Sequence, residues 1–468
     1  MTAPVTLTAP VHAAANRVAS WAATLRPADV PAATRHAAMR CLVDVTGCAL
    51  AGAHHPTTAR IARYAARHHA GGVCATAGAG ELGPLGAAFV NGVAAHVWDF
   101  DDTSYEGIIH GSAAVWPATL AAAQLADASA ETLLTAFIAG IEAECALGRA
   151  FGDSLYWKGW WNTGVLGGIG AAVGAGRALG LDATRLSHAV SIAAAFAGGA
   201  RAVLGTSAKP YGCGRAAQAG LEAALVAADG LEGPADIFEE KRGFARLFND
   251  GAFDPAALDC LGARWALIDP GIAFKLYPAC SATQAAVEAT IALVREHQLV
   301  ADDIERAHYA VTPLVAMSLT YERPRTPAEA QFSMPYAIVC ALQDGDLGID
   351  QLAPARIDDH ARRRAMDKVT MEVDESLVAS EDARRNSPEG AVVTLTTRDG
   401  RRLRRELGTA TGMPANPVSD LRLFAKFMGC AGRVLDEAAA EALLGRLRAC
   451  APATPARALL PAIAQQAA

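Results

Sequence analysis

Apolar residues recur with a helical period through the first half of the chain. From about Pro27 to Arg264 the sequence is rich in alanine, and Gly and Pro interrupt it at roughly twenty-residue intervals. Each segment between these interruptions carries an apolar stripe over three or more turns, and several segments are apolar on all sides, as in helices buried by neighbours on most faces. The pattern predicts a helical bundle with helices at 31–51, 84–98, 112–126, 131–150, 163–179, 182–197, 213–229 and 283–297.

The pattern changes after Pro270. Apolar and polar residues then alternate in three segments, which is the period of a half-buried strand. Asp399 and Gly400 lie between VVTLTT and RRLRREL, and this dipeptide favours a two-residue hairpin turn because the turn needs positive φ. The helical pattern returns from about Asn416 and ends in a long helix near 435–449. The predicted strands are at 303–313, 368–377 and 390–407.

These changes of pattern predict a mainly α protein with one large and one small domain. We expect residues 1–268 to form the first part of an all-helical bundle domain and residues 269–410 to form a smaller α+β lid domain. Residues 411–468 are expected to return to the helical domain. A chain of 468 residues is long enough for more than one folding unit, which agrees with this division.

Composition excludes several classes of function. The formal charge of −7 gives no general attraction to nucleic acid or to an anionic membrane. The longest uncharged run, Gly159 to Arg177, is made largely of Gly and Ala, so we expect a buried helix there and no membrane span. The ten cysteines are scattered without a CxxC pair, which is typical of reduced thiols in a cytoplasmic protein. No signal peptide is predicted at the N-terminus, and neither a glycine-rich phosphate loop nor a metal-ligand spacing is present.

The segment HVWDFDDTSYEGIIHGSA holds the strongest candidate chemistry. It places Asp99, Asp101, Asp102 and Thr103 after an apolar helix and His110 before the next one. Three carboxylates within four residues repel one another, so they need a cationic partner or bound protons. Solvated or capping aspartates are the simpler interpretation. The string D-x-D-D also occurs in helical terpene cyclases, but their carbocation pockets need many aromatic residues, and only 6% of this chain is aromatic.

The same segment resembles the hallmark of the MmgE/PrpD superfamily, which includes 2-methylcitrate dehydratase, cis-aconitate decarboxylase and iminodisuccinate epimerase. Six further strings resemble this family in the same order along the chain: LVDVTGCALAG, KGWWNTGVLGG, KPYGCGRAAQAG, FKLYPACSATQ, QFSMPYAIV and GMPANPVSDLRLFAKF. The resemblance implies a helical domain with an inserted α+β lid and an active site in the cleft between them. It also implies a homodimer without metal or organic cofactor that acts on a small di- or tricarboxylate.

The resemblance assigns candidate site residues one by one. Asp99 and Thr103 match the polar cluster beside the substrate, and His110 matches the histidine that could shuttle a proton. Lys209 and Lys275 are cations on apolar segments, where they could hold carboxylates; a salt bridge within the bundle is the alternative. The expected catalytic residues are His110, Asp99, Tyr336 and Cys280, and the expected substrate-binding residues are Thr103, Lys209, Lys275 and Trp161.

Three positions depart from the family pattern. Trp161 and Cys280 stand where related dehydratases and decarboxylases usually carry histidine, and Gly212 stands where the KP motif commonly continues to one. Loss of these imidazoles puts decarboxylation of cis-aconitate in doubt and predicts a narrower, more selective pocket. Cys280 could replace its histidine as an acid or base, although an inert buried cysteine is the commoner case.

The expected reaction is proton abstraction α to a carboxylate. Loss of a β-hydroxyl would make the enzyme a hydro-lyase similar to 2-methylcitrate dehydratase, which is the first expectation. Return of the proton to the opposite face, from Tyr336 or Cys280, would make it an epimerase of a dicarboxylate such as iminodisuccinate. A catalytically inactive member that binds an organic acid is the third possibility.

Overall fold

The protein is mainly α-helical, and all of the predicted helices form. A computed structural model describes residues 13–465. The helices of its N-terminal half are α1 (Ala14–Thr24), α2 (Ala32–Gly52), α3 (Pro56–His68), α4 (Pro84–His96), α5 (Gly111–Leu125), α6 (Ala130–Phe151), α7 (Ser154–Trp157), α8 (Asn162–Ala178), α9 (Ala183–Ala195), α10 (Ala208–Ala228) and α11 (Phe244–Asn249). The helices of its C-terminal half are α12 (Ser281–Glu296), α13 (Pro313–Ser318), α14 (Pro327–Ala330), α15 (Met334–Asp344), α16 (Pro354–Ile357), α17 (His360–Met366), α18 (Glu381–Asn386), α19 (Asp420–Ala431) and α20 (Glu437–Ala449).

The uncharged, glycine-rich run forms α8, which lies between α5, α6, α9 and α10. Its glycines permit close helix contact: a Cβ on Gly170 would lie 2.9 Å from the Glu144 side chain, and one on Gly174 would lie 2.3 Å from the Thr119 hydroxyl. The expected buried helix is therefore confirmed, and close packing against its neighbours explains why it is rich in glycine. Within residues 13–465, no helix combines the length and the apolar character that a bilayer crossing needs.

The second half of the chain contains the predicted strands. β3 (Ile304–Val311), β4 (Val369–Val373), β5 (Ala391–Thr397) and β6 (Arg402–Leu407) form a sheet in the order β4-β3-β5-β6. β5 and β6 make the predicted hairpin, and Gly400 in its turn has a φ of +89°. β3 and β4 pair in parallel, which the sequence did not indicate. A small antiparallel pair, β1 (Cys74–Thr76) and β2 (Gly80–Leu82), was also not predicted.

Residues 13–465 contain two large hydrophobic cores and one small cluster around Cys48 and Phe100. The larger core joins the helices before Phe274 to the C-terminal helices α19 and α20, which pack on α2. The smaller core lies between the sheet and helices α12 and α15. The predicted domain boundaries, at 268 and 410, remain predictions. The acidic segment links α4 to α5 and lies against the smaller core.

Candidate active site

The loop between α4 and α5 has an unusual backbone. Asp99 has a φ of +49° and Ile108 a φ of +53°, values that only glycine adopts without cost. Backbone hydrogen bonds between Ser104 and Ile109, 2.8 and 3.0 Å long, close the loop and return the chain to the first turn of α5. Thr103 adds a hydrogen bond from its hydroxyl to the Ile109 carbonyl at 3.0 Å. The loop therefore holds His110 against the aspartates that precede it.

Asp99 is the centre of the cluster and lies between two lysines. Its Oδ1 is 2.7 Å from Lys209 Nζ and 3.1 Å from Lys275 Nζ. Lys209 comes from the first turn of α10, while Lys275 is placed by a backbone bridge between Ala273 and Thr103. All three charged side chains are buried, with at most 4% of each residue exposed. Burial alone would raise the pKa of Asp99, but the two ammonium groups outweigh it and hold that pKa far below its usual range.

His96, in the last turn of α4, completes this arrangement. Its Nδ1 lies 2.9 Å from both carboxylate oxygens of Asp101, and its Nε2 lies 2.6 Å from Lys209 Nζ. Because an ammonium can only donate, Nε2 accepts and Nδ1 carries the proton. Burial lowers the pKa of His96, which keeps the ring neutral. The ring is completely buried and lies between a carboxylate and a cation.

His110 has one nitrogen in use and one free. Nδ1 lies 3.1 Å from the Asp102 carbonyl and 3.3 Å from Asp101 Oδ2, so it donates. Nε2 is 3.8 Å from Asp99 Oδ1, too far for a hydrogen bond. Burial and the nearby lysines lower the pKa of His110 to about 4, so at neutral pH Nε2 has an available lone pair. The side chain is 14% exposed, which makes this nitrogen a candidate general base.

The other two aspartates differ in charge state. Burial alone would raise the pKa of Asp101, but electrostatic attraction to the His96 and His110 rings and the hydrogen bonds from them hold that pKa well below its usual range. Burial and the charge of Asp44 raise the pKa of Asp102 to about 7, and Ser112 donates a hydrogen bond to its carboxyl group. The repulsion expected among three carboxylates is thus relieved by cations at Asp99, by imidazoles at Asp101 and by partial protonation at Asp102.

Four side chains of the cluster could together hold a metal ion. Ligand atoms of His96, Asp99, Asp101 and His110 lie within 4.8 Å of one another. However, the ammonium groups of Lys209 and Lys275 already balance the charges of Asp99 and Asp101. A divalent cation would therefore be repelled by the two ammonium groups, which are in direct contact with Asp99, one of the candidate ligands. The absence of a cofactor stays a prediction, which chelation tests.

Trp161 lies on one side of the cluster. Its ring centroid is 5.6 Å from that of His96 and 5.6 Å from Lys209 Nζ. A Cβ on Gly212 would lie 2.8 Å from Cζ3 of this indole. Trp161 and Gly212 are therefore coupled: the large ring occupies the space that a side chain at position 212 would need.

The structure does not bring every predicted residue to the cluster. The hydroxyl of Tyr336 donates to the Gln351 carbonyl within the smaller core, so it is not directed at Asp99. Cys280 precedes α12 and lies near enough to Asp99 and Lys275 for their charges to act on it, but burial raises its pKa to about 12, which keeps the thiol protonated. Thr103 stabilises the loop between α4 and α5, since its hydroxyl donates to the Ile109 carbonyl and its backbone hydrogen-bonds with that of Ala273. His96 is the residue that sequence reasoning missed as a functional group.

A cavity of about 470 Å³ opens from His96 and Lys209 toward the surface. Its walls come from the helical part of the molecule, at α3 and α10, and from the second half of the chain, around Gln331 and Phe332. Gln331 donates to the Val97 carbonyl at 3.1 Å and so connects the two walls. The volume is adequate for a small organic acid with bound water.

Comparisons with known proteins match the chain to one family and to several relatives. The model of the MmgE/PrpD N-terminal domain matches residues 16–256, and that of the MmgE/PrpD C-terminal domain matches residues 277–447. The cis-aconitate decarboxylase of Mus musculus is 30% identical over 78% of this chain and 75% of its own length. The Homo sapiens enzyme of that name is 30% identical over 78% and 76%, and the Aspergillus terreus enzyme is 26% identical over 90% and 89%.

Proposed function

The chain belongs to the MmgE/PrpD family, and on that premise we propose that it is a lyase acting on a small di- or tricarboxylic acid. The relatives named above are lyases that act on a tricarboxylate, which supports this class of reaction. The finer proposal is a hydro-lyase of the 2-methylcitrate dehydratase type, which abstracts a proton α to a carboxylate and expels a β-hydroxyl.

One observation carries the finer proposal: an unprotonated imidazole nitrogen lies beside two buried ammonium groups. His110 Nε2 takes the α proton, and Lys209 and Lys275 stabilise the negative charge that the carboxylate then gains. The bond from the β-carbon to oxygen breaks with its electron pair on oxygen. Lys209, which lines the cavity, is available to protonate that oxygen so that water leaves.

Decarboxylation is the second candidate, because all three relatives carry that name. It requires an acid that protonates the carbanion after carbon dioxide leaves. Neutral His110 and the engaged hydroxyl of Tyr336 are poor acids in this structure, and Trp161 has no proton to exchange, so Lys209 would have to supply the proton here as well. The unprotonated Nε2 of His110 is needed only where a proton is first abstracted, and this favours the hydro-lyase.

Turnover in D2O distinguishes the possibilities. Citrate, 2-methylcitrate, cis-aconitate and iminodisuccinate are each incubated with the full chain. An alkene with ultraviolet absorbance and no gas supports the hydro-lyase, whereas release of carbon dioxide from cis-aconitate supports the decarboxylase. Deuterium uptake without an alkene indicates an epimerase, and no change in any acid indicates an inactive binding protein.

The base is tested with a matched pair of variants. His110→Ala is expected to abolish turnover at an unchanged thermal midpoint, whereas His297→Ala, which alters an exposed histidine at the end of α12, is expected to leave turnover unchanged. Turnover within a few-fold of wild type in His110→Ala would remove His110 from the mechanism.

Assembly and location are also proposals. The resemblance implies a homodimer, which light scattering on the purified chain tests. All ten cysteines are free, and nine of them lie in environments where burial raises the thiol pKa, consistent with a reducing cytoplasm.

A further inference from the structure

The cavity is lined by polar side chains besides those of the reacting cluster. Its lining includes His96 and Lys209 from the cluster, and also His55 and Arg60 near the start of α3. The hydroxyls of Thr57 and Ser207, 3.2 Å apart, belong to the same lining. Several side chains that can donate hydrogen bonds therefore line the cavity.

His55 presents a donor to this cavity. Its Nδ1 accepts a hydrogen bond from the Thr57 backbone N–H at 3.1 Å. Burial and the charge of Arg60 lower the pKa of His55 to about 4, so the ring is neutral and its single proton lies on Nε2. The ring is held in place by an edge contact with Trp98, whose centroid is 4.7 Å away. No partner for Nε2 is found among residues 13–465.

Arg60 is a cation without a carboxylate. In the described part of the chain, its guanidinium makes neither an ion pair nor a hydrogen bond to protein. Among the described residues, Glu329 is the only acidic one that lines the cavity, and its carboxylate already accepts from the Arg325 backbone N–H at 2.6 Å. The charge of Lys209 is balanced by Asp99, whereas that of Arg60 is not balanced by a described carboxylate, so the lining near Arg60 favours an anionic ligand.

We propose that His55 and Arg60 form a second carboxylate subsite, which binds a carboxylate of the substrate other than the one held near Lys209. This inference deepens the proposed function and rests on it for the identity of the first carboxylate. Arg60 supplies a planar pair of donors that matches a carboxylate, and His55 supplies a single fixed donor. The chemical class expected is a tricarboxylate, one carboxylate of which binds His55 and Arg60 while the others remain beside Lys209.

The subsite is tested by binding and not by turnover. The probes are tricarballylate and ethylsuccinate. Ethylsuccinate carries a methyl group in place of one of the two terminal carboxylates of tricarballylate. Neither probe carries a hydroxyl that could be expelled, so both report binding alone. Isothermal titration calorimetry is performed on the full chain, on Arg60→Gln and on the control Arg63→Gln. Arg63 is exposed on the same helix but does not line the cavity.

Loss of one charge-assisted contact at a partly exposed site is expected to weaken tricarballylate binding by about tenfold. Arg60→Gln should show this loss for tricarballylate and no change for ethylsuccinate, and Arg63→Gln should match wild type with both probes. An equal loss with both probes, an equal effect of the two variants, or no binding of tricarballylate to wild type would overturn the subsite. If the subsite is confirmed but none of the candidate acids turns over, the proposed reaction fails and the subsite stands.

Discussion

Replacing Asp99 by asparagine tests the charge balance on which the site depends. Asparagine keeps the shape of the side chain but leaves Lys209 and Lys275 facing each other across a neutral amide. Both ammonium groups are buried, and each lies within 3.1 Å of the Asp99 oxygen in the native protein. Removing one partner from a buried ion pair typically costs about 3–5 kcal/mol because the remaining charge stays uncompensated. We expect Asp99→Asn to lose about that much free energy of unfolding.

The control is an ion pair of the same kind on the surface. Asp250 Oδ2 lies 2.6 Å from Lys158 Nζ, but the Asp250 side chain is 84% exposed. A surface pair contributes about 0–1 kcal/mol, so Asp250→Asn should change stability little. In thermal unfolding, Asp99→Asn should lower the midpoint by about 6–10 °C, at about 2 °C per kcal/mol for a domain of this size.

A double variant identifies the cause of the loss. Asp99→Asn with Lys209→Met removes one of the two unpaired cations, so it should be more stable than Asp99→Asn alone by at least about 1 kcal/mol. Urea midpoints, followed by tryptophan fluorescence, measure all four proteins. If Asp99→Asn is no less stable than Asp250→Asn, or if the double variant is less stable than the single one, the two lysines are not held by Asp99 as the structure indicates.

Three further outcomes are expected. Burial raises the pKa of Glu144 to about 8, so the folded protein binds more protons than the unfolded one and stability falls as the pH rises from about 4.5 to 8. Glu144→Gln should reduce this loss of stability by about 3 kcal/mol. Urea midpoints of the variant that equal those of wild type at both pH 5 and pH 8 would contradict the prediction. Gly212→Ala should lower the free energy of unfolding by about 1–3 kcal/mol because of the contact with Trp161. When Gly212→Ala is combined with Trp161→Ala, the loss of stability should be smaller than the sum of the two single losses. Strict additivity would show that the two residues are independent. Turnover should be insensitive to EDTA, and a loss that added metal restores would instead identify the cluster around Asp99 as a metal centre.

Much of the fold could be predicted because its signals are local. The period of α8 and the Asp399–Gly400 turn of the β5–β6 hairpin each depend on residues close in sequence, and both form as expected. The parallel pairing of β3 with β4 could not be predicted, since Ala307 lies opposite Val369 and a long connection separates them. The short helices between these strands also carry no sustained period.

The site was less accessible to sequence reasoning, because its geometry depends on distant contacts. His96 lies on an apolar helix and looks like an ordinary core residue until Lys209, 113 positions later, is found 2.6 Å from its Nε2. Tyr336 occupies the expected place in the FSMPY string, yet its hydroxyl is directed to Gln351. A residue type and its position in a motif were thus predictable, whereas the direction of its polar group was not.

The buried lysines suggest how part of this could have been anticipated. Lys209, Lys275 and Lys426 all lie in apolar segments, and each is paired in the structure: the first two with Asp99, and Lys426 with Asp44 at 2.6 Å. An ammonium cannot be buried alone without a large loss of solvation, so a lysine in an apolar helix implies a buried carboxylate elsewhere in the chain. Lys426 was not singled out from the sequence, although it donates to the Phe100 carbonyl at 2.7 Å and so holds the loop between α4 and α5 from the side of α19. Counting such lysines predicts how many buried acids must exist, but only the fold decides that two of the lysines share one aspartate. That sharing places both ammonium groups close enough to His110 to lower its pKa.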